Sequence, residues 1–358
     1  KHWSRGLGDV YKRQPVAGAI AAGNRVMLKP SEWTPKTSTL LAELASEAFE
    51  PDEFAVFEGG IETGRAFSDL PFDHLLFTGS TRVAKEVSNS AAKNLTPLTL
   101  ELGGKSPALV CPGANLKRAA ERIVFGKLAN AGQICIAPDY VFVERAKFHD
   151  FIELLQIYSK KAYPRLNNNP DYTSIISADH FTRLNRMIEE AREDGAEIIS
   201  INPDGETLEP SARKIPPTLI LRPNQTLDVM QEEIFGPILP VLSYEKIEEA
   251  IEFVQHRARP LALYLFTEKT RERERILRET VSGGVAVNEV LFHCVCETLP
   301  FGGVGASGVG SYHGQAGFDT FSHLKPVFIQ PRFNFNFFLV PPITPMKRLF
   351  AKIFRKLV

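Results

Sequence analysis

The order of apolar and polar positions changes period repeatedly along the chain, and the changes mark out its elements. "AGAIAAGN" reads as a helix end capped by Gly23, and "RVMLKP" as a short buried strand stopped by Pro30. "TPKTSTLLAELASEAF" has helical spacing, with Leu40, Leu41, Leu44 and Ala45 on one face. The runs "FAVFEGG" and "FDHLLFTGS" each predict a strand and a glycine turn, and "TRVAKEVSNSAAK" a helix. "LTPLTLELGGKSPALV" holds two strands around Gly103 and Gly104. The alternation then repeats. "LKRAAERIVFGKLANAG" is helical up to Gly132, "YVFVER" is a strand, and "KFHDFIELLQIYSKKAY" is an amphipathic helix ending before Pro164. "HFTRLNRMIEEAREDGAEIIS" gives a helix, a stop at Gly195 and a strand. "LALYLFT" and "GGVAVNE" are buried strands, and "IEEAIEFVQHRA" and "TRERERILRETV" are exposed helices of mixed charge. Short apolar strands alternating with amphipathic helices predict an α/β fold with parallel sheets. The pattern divides it into two open-sheet lobes near "ELGGKSP".

Both ends break this pattern. "KHWSRGLGDVYKRQ" has no clear period and no apolar core of signal-peptide length, so residues 1–14 are expected to be foreign to the fold. The closing "FNFNFFLVPPITPMKRLFAKIFRKLV" has an apolar run, a proline break, then a basic helix with Leu349, Phe350, Ile353 and Leu357 on one face. It is too short and too charged to span a bilayer, but residues 333–358 suit contact with a membrane surface or packing on a partner subunit.

Composition narrows the function classes. The 358 residues are 44% hydrophobic and 23% charged with a formal net charge of zero, which argues against a broad nucleic-acid footprint. Four cysteines, Cys111, Cys135, Cys294 and Cys296, are too few and too scattered for a disulfide scaffold, which fits a reducing, cytoplasmic setting. Cys294 and Cys296 beside His293 lack a second Cys/His cluster, so no metal site is expected.

Several stretches could carry chemistry. Gly303 to Gly308 matches G-x-G-x-x-G literally, but without a strand leading in or a helix following it reads as a flexible loop. "SHLK" at 322–325 is a chance match to S-x-x-K. In "LKPSE", Lys29 stands at a strand's carboxyl end, where ligands bind in open α/β sheets, and can donate to sugar hydroxyls while Glu32 accepts; a surface Lys-Glu pair is the bland alternative. In "FTGS", Gly79 permits close approach of a phosphate, and Ser80 with the following helix N-terminus can hold it. Glu101, ahead of Gly103 and Gly104, is a carboxylate that could reach a water, or a surface residue at a strand end. Glu233 and Phe235 in "EEIFGP" could hold a ribose and a flat ring, or the Phe could be core. Cys135 sits among small residues in "LANAGQICIAP", where a thiol stays accessible; most lone cysteines are instead inert small hydrophobes.

Taken in order, LKPSE, FTGS, ELGGK, NAGQIC, EEIFGP and LPFGGVGASG resemble the aldehyde dehydrogenase superfamily, from about Pro15 to Pro326. The closing run "NEVLFHCVCETLPFGGVGASGVGSYHGQAGFDTFSHLKPV" is most similar to its class 3 and coniferyl-aldehyde branch, and the tail fits that branch too. The resemblance implies two Rossmann-like lobes: a partial NAD-binding domain at 15–103, a catalytic domain at 104–310, and a C-terminal arm and tail at 311–358. It implies Cys135 as the nucleophile, its backbone amide as an oxyanion donor, and Glu101 as the base that activates water to release the acid. Asn130, Gln133 and Asn288 would support the site. Lys29, Ser31 and Glu32 would bind the adenosine ribose of NAD, Gly79 and Ser80 the pyrophosphate side, Leu102 the nicotinamide amide, and Glu233 with Phe235 the nicotinamide riboside. Glu32 would repel a ribose phosphate, favouring NAD over NADP.

The implied reaction is oxidation of an aromatic aldehyde such as coniferaldehyde, or a medium-chain aliphatic one, to the acid by a homodimer. One departure stands out. The family's second oxyanion donor, an Asn upstream of "PVAGAI", is replaced by "VYKRQ". The first strands of the cofactor domain and a bridging hairpin are also missing, so this chain is expected to be impaired, by roughly two to three orders of magnitude for the lost donor alone. A CoA-acylating enzyme is disfavoured by Glu101, and a non-catalytic binding protein by the retention of Cys135 with Glu101.

Overall fold

The computed structural model describes residues 14–334, 336–338 and 340–355. They form two compact units, 1–322 and 323–358. The expected leader up to residue 13, the "VYKRQ" departure apart from Gln14, and Leu357 lie outside the described residues.

The first unit is mixed α/β. A helix α1 (residues 14–21) ends near Gly23 and leads to β1 (Val26–Leu28). Helix α2 (Pro35–Ala48), β2 (Phe54–Val56), α3 (Ile61–Ser68), β3 (Leu75–Thr78), α4 (Thr81–Ala92) and β4 (Leu98–Glu101) follow. β1 and β2 pair in parallel, and β3 and β4 pair in parallel in a second small sheet. The Gly-rich segment expected as a loop contributes a strand, β12 (Gly308–Val309), antiparallel to Leu100 and Glu101. The short glycines let its backbone close on β4 where a side chain would collide: a Cβ on Gly308 would overlap the Leu100 carbonyl.

The larger sheet begins directly after "ELGGK". Its strands are β5 (Pro107–Val110), β6 (Tyr140–Glu144), β7 (Glu197–Ser200), β8 (Thr218–Leu221), β9 (Ile238–Tyr244), β10 (Ala262–Phe266) and β11 (Gly284–Val287). They lie in the order β11-β10-β5-β6-β9-β8-β7, all parallel except the β7–β8 pair. β5 and β10 are buried along their whole length, as continuous apolar runs covered on both faces must be. Alternate residues feed two cores. Val141 and Val143 pack with helices α5 (Leu116–Leu128) and α6 (Phe148–Ala162); Phe142 packs with α7 (Ala178–Glu193), α9 (Ile247–Gln255) and α10 (Thr270–Glu279). The short α8 (Asp228–Gln231) precedes β9, and α11 (Gly314–Thr320) closes the unit.

Two details differ from the sequence reading. Leu40 and Leu44 of α2 are 53% and 45% exposed, while Ser38 and Ala45 are buried. Among the described residues the two-stranded β1–β2 sheet backs this helix, and part of its apolar stripe is left exposed. The helix expected to run to Gly132 stops at Leu128, because Asn130 and Ala131 take left-handed φ values of 50° and 51°. The second unit holds α12 (Pro345–Phe354), whose Lys347 donates to the Val340 carbonyl at 2.6 Å. No helix among the described residues is long and apolar enough to cross a membrane.

Candidate active site

Cys135 lies in the turn between α5 and β6, and its local sequence builds that turn. Asn130 Nδ2 donates to the Gln133 carbonyl and Gln133 Nε2 to the Asn130 carbonyl, each at 3.1 Å. Gln133 also reaches outward, donating to the Ser174 carbonyl and accepting the Ile176 amide. Gly132 has φ +74°, and a Cβ there would run into the Gly236 carbonyl. Glycine is therefore required both by conformation and by the close approach of the "EEIFGP" segment. On the far side, the buried Tyr264 hydroxyl donates to the Ile136 carbonyl. The nucleophile candidate is thus held from both sides while Cys135 itself keeps partial exposure.

Glu101 ends β4, bridged by β12 on one side and β3 on the other. It is 3% exposed, and neither carboxylate oxygen has a hydrogen-bond partner among the described residues. Burial pushes its pKa up to about 8. A buried carboxyl without donors is costly to ionise, which is the property of a general base tuned toward neutral pH. Burial also pushes the Cys135 thiol up, and Glu233, Glu101 and Cys294 add to the effect. That coupling puts Cys135, Glu101 and Glu233 in one electrostatic neighbourhood.

Glu233 is pressed onto the Gly103–Gly104 turn: a Cβ on Gly103 would collide with its carboxylate, and the Gly104 N–H holds it. Burial and Asp139 raise its pKa to about 8 against the pull of Gly104, Lys105 and Arg183. Phe235, at φ 50°, is half-buried with its ring 6.5 Å from that of His180. The Leu102 amide is taken by the Ser307 carbonyl at 3.1 Å.

The other sequence candidates sit at strand ends. Lys29 donates to Glu32 at 2.8 Å just beyond β1, and that hydrogen bond lowers the Glu32 pKa. The Ser31 hydroxyl accepts the Trp33 amide. Ser80 caps α4, accepting the Val83 amide at 3.3 Å, and a Cβ on Gly79 would strike the Phe77 ring. Asn288 does not touch the Cys135 turn in any described hydrogen bond. Its side chain brackets Thr267, accepting the amide at 3.0 Å and donating to the carbonyl at 2.9 Å, and so ties β10 to β11.

Two groups escaped the sequence reading. Tyr312 is buried, and its phenol is raised by burial and then by Glu101, Cys135 and Cys294, which places it beside the thiol. With Phe301 and His313 it forms an aromatic wall; the Phe301 and Tyr312 rings meet edge-on at 5.8 Å. The aromatic pair in "SYHG" after the Gly-rich run was the available signal. Lys127, on the last turn of α5, is 2% exposed and its Nζ has no partner among the described residues. Burial lowers its pKa to about 8.

The chain matches the aldehyde dehydrogenase family over residues 13–327. It is 52% identical over 317 residues to a probable coniferyl aldehyde dehydrogenase of Caulobacter vibrioides, covering 88% of this chain and 65% of that relative. The chain therefore spans about two thirds of this relative's length. Among solved structures, substrate-bound AldH of Staphylococcus aureus is 42% identical, with a TM-score of 0.87 over 95% of this chain and 73% of that one. The Mycobacterium tuberculosis aldehyde dehydrogenase complexed with NAD+ is 30% identical, with a TM-score of 0.81 over 90% of this chain and 67% of the other.

Proposed function

The chain belongs to the aldehyde dehydrogenase family, and from that premise we propose that it oxidises an aldehyde to its carboxylic acid with NAD, through a covalent intermediate on Cys135. The single observation that carries the reading is Glu101: a buried carboxyl with no partner among the described residues, in the same electrostatic neighbourhood as the one partly exposed thiol on the turn. The Cys135 sulfur bonds the aldehyde carbon as its thiol proton passes to solvent water at the partly exposed side of the turn, while the Cys135 amide donates to the oxyanion. NAD, when bound, supplies the acceptor for the hydride that leaves this carbon. Glu101 then takes a proton from water, whose oxygen attacks the thioester and releases the acid and the thiol.

The residues present fit a dinucleotide. Lys29 and Glu32 offer a donor and an acceptor beyond β1, and α4 opens with backbone N–H groups behind a glycine turn, a ready site for phosphate. On this reading Lys29, Ser31 and Glu32 hold the adenosine ribose, Gly79 and Ser80 the pyrophosphate side, and Leu102, Glu233 and Phe235 the nicotinamide riboside. Asn130 and Gln133 shape the nucleophile turn, and Asn288 the β10–β11 edge. On this reading residues 15–103 form a partial NAD-binding domain that also lends Glu101 to the chemistry, 104–310 a catalytic domain that also lends Glu233 and Phe235 to the cofactor, and 311–358 the arm and tail. The Phe301, Tyr312 and His313 wall suits an aromatic or medium-chain aliphatic aldehyde, and the coniferyl-named relative agrees with the aromatic choice. As partners we propose a second copy of the chain and, for the tail, an anionic membrane surface. The tail exposes Met346, Leu349 and Ile353 alongside Arg348, Lys352 and Arg355.

The test is intact-mass analysis after brief exposure to NAD and coniferaldehyde. Glu101→Gln is expected to trap an acyl adduct that maps to Cys135. An adduct elsewhere, or none with coniferaldehyde, benzaldehyde or hexanal, refutes the mechanism.

A further inference from the structure

The starts of β5, β6 and β9 are neighbours in the larger sheet, and one buried ion pair spans all three approaches. Lys105 stands just before β5, Asp139 immediately before β6, and Glu232 to Ile234 lead into β9. Lys105 Nζ donates to the Asp139 carboxylate, and at 2.8 Å to each of the Val229 and Glu232 carbonyls. The two side chains are 9% and 3% exposed. The other Asp139 oxygen accepts the Ile234 amide at 3.0 Å, and the Asp139 amide donates to the Ser106 carbonyl at 2.8 Å. From α7, Arg183 donates to the Glu233 carbonyl at 3.1 Å and the Ile234 carbonyl at 2.6 Å. Three successive carbonyls and the Ile234 amide are therefore tied down around one side chain, that of Glu233.

A buried ion pair is poor evidence for stability, because desolvation offsets its attraction and apolar replacements often serve as well. Direction is what this pair adds. Its hydrogen bonds end on backbone flanking Glu233, while Asp139 follows Cys135 by four residues and Lys105 follows the Glu101 turn by four. We propose that Lys105 and Asp139 are positioning residues: a clamp that fixes segment 229–234 over the catalytic turn and sets the Glu233 carboxylate against Gly103. Its effect on cofactor binding rests on the reading of Glu233 as a dinucleotide contact; its mechanical effect does not.

The variants are Asp139→Asn, which keeps the shape, Lys105→Met, and the double variant, which strands no buried charge. Two readouts are taken on the same full-chain preparations: amide hydrogen exchange over 228–236, and NADH affinity by fluorescence titration. Glu233→Gln is the reference. Exchange at 232–234 is expected to quicken, and the NADH Kd to rise, each by about tenfold in both single variants, the scale of one lost charged hydrogen bond. The double variant is expected to be no worse than either single one. Glu233→Gln should weaken NADH binding yet keep wild-type exchange. Unchanged exchange in all three variants overturns the clamp. Faster exchange with unchanged NADH affinity, while Glu233→Gln binds weakly, reduces the pair to a structural one and overturns its role in binding. If Glu233→Gln also binds normally, the dinucleotide reading of Glu233 falls, and the exchange data still decide the clamp.

Discussion

At the scale of single residues, Glu101 has the most consequential environment. Burial raises its carboxyl pKa to about 8, so on the proposed mechanism it would serve as a base only as pH rises toward that value. We expect kcat, where hydrolysis of the thioester limits turnover, to climb with pH to about 8, and Glu101→Gln to remove that rise; a flat wild-type kcat profile over the same range would count against Glu101 as base. The same shift bears on stability. The native pKa lies above the ordinary carboxyl value of 4.5, so its contribution is complete below that value and is lost as pH rises through about 8. The melting temperature of Glu101→Gln should therefore gain on that of wild type between pH 5 and pH 8, as differential scanning would show. Replacing Cys135 by Ala should cut acid formation by on the order of a thousandfold or more, since on the proposed mechanism its sulfur carries the acyl chain. Cys135 and Glu101 each sit in a distinctive local stretch, which is why the sequence singles them out as candidates. Lys127 and Tyr312 are not singled out, since what sets them apart is burial beside charges that lie far away in sequence.

At the scale of elements, the Cys135 turn is the most demanding. Three successive residues, Asn130, Ala131 and Gly132, have positive φ, and Gly132 also faces the Gly236 carbonyl. Gly132→Ala should cost about 2–4 kcal/mol by urea denaturation, combining left-handed strain with a backbone clash. It should also slow acylation by separating the two segments. A loss under about 0.5 kcal/mol would mean the turn can relax. Periodicity located most of the strands and helices, but it passed over α3, β8, α8, β9 and α11, whose runs are short or interrupted by Pro. It misjudged α2, whose Leu40 and Leu44 no sheet covers among the described residues, and it left β12 as a loop, since glycines carry no apolar signal for pairing.

At the scale of the molecule, the site is made where two sheets meet within the first unit. Glu101 comes from the carboxyl end of β4, whereas Lys105, Cys135 and Glu233 come from the segments that enter β5, β6 and β9. Those three strands are adjacent, so residues up to 128 apart in sequence share one small volume. The second unit makes a separate prediction. If its basic helix contacts lipid, the chain should co-sediment with phosphatidylserine vesicles more than with phosphatidylcholine ones. Leu349→Glu with Ile353→Glu should cut that by about tenfold, because both side chains would lose burial and meet anionic headgroups. Equal sedimentation with both lipids, before and after substitution, removes the membrane reading.

The sequence by itself determined the alternation of strands and helices, the short stretches that can host a nucleophile, a base and a phosphate, and through their order the family. Those properties are local: a period, a glycine turn, a helix start. Only the tertiary structure decided which of these residues share a site and in what charge state. Sheet order brings together segments remote in the chain, and burial there removes the water that would keep Glu101, Glu233 and Lys127 at their ordinary pKa values.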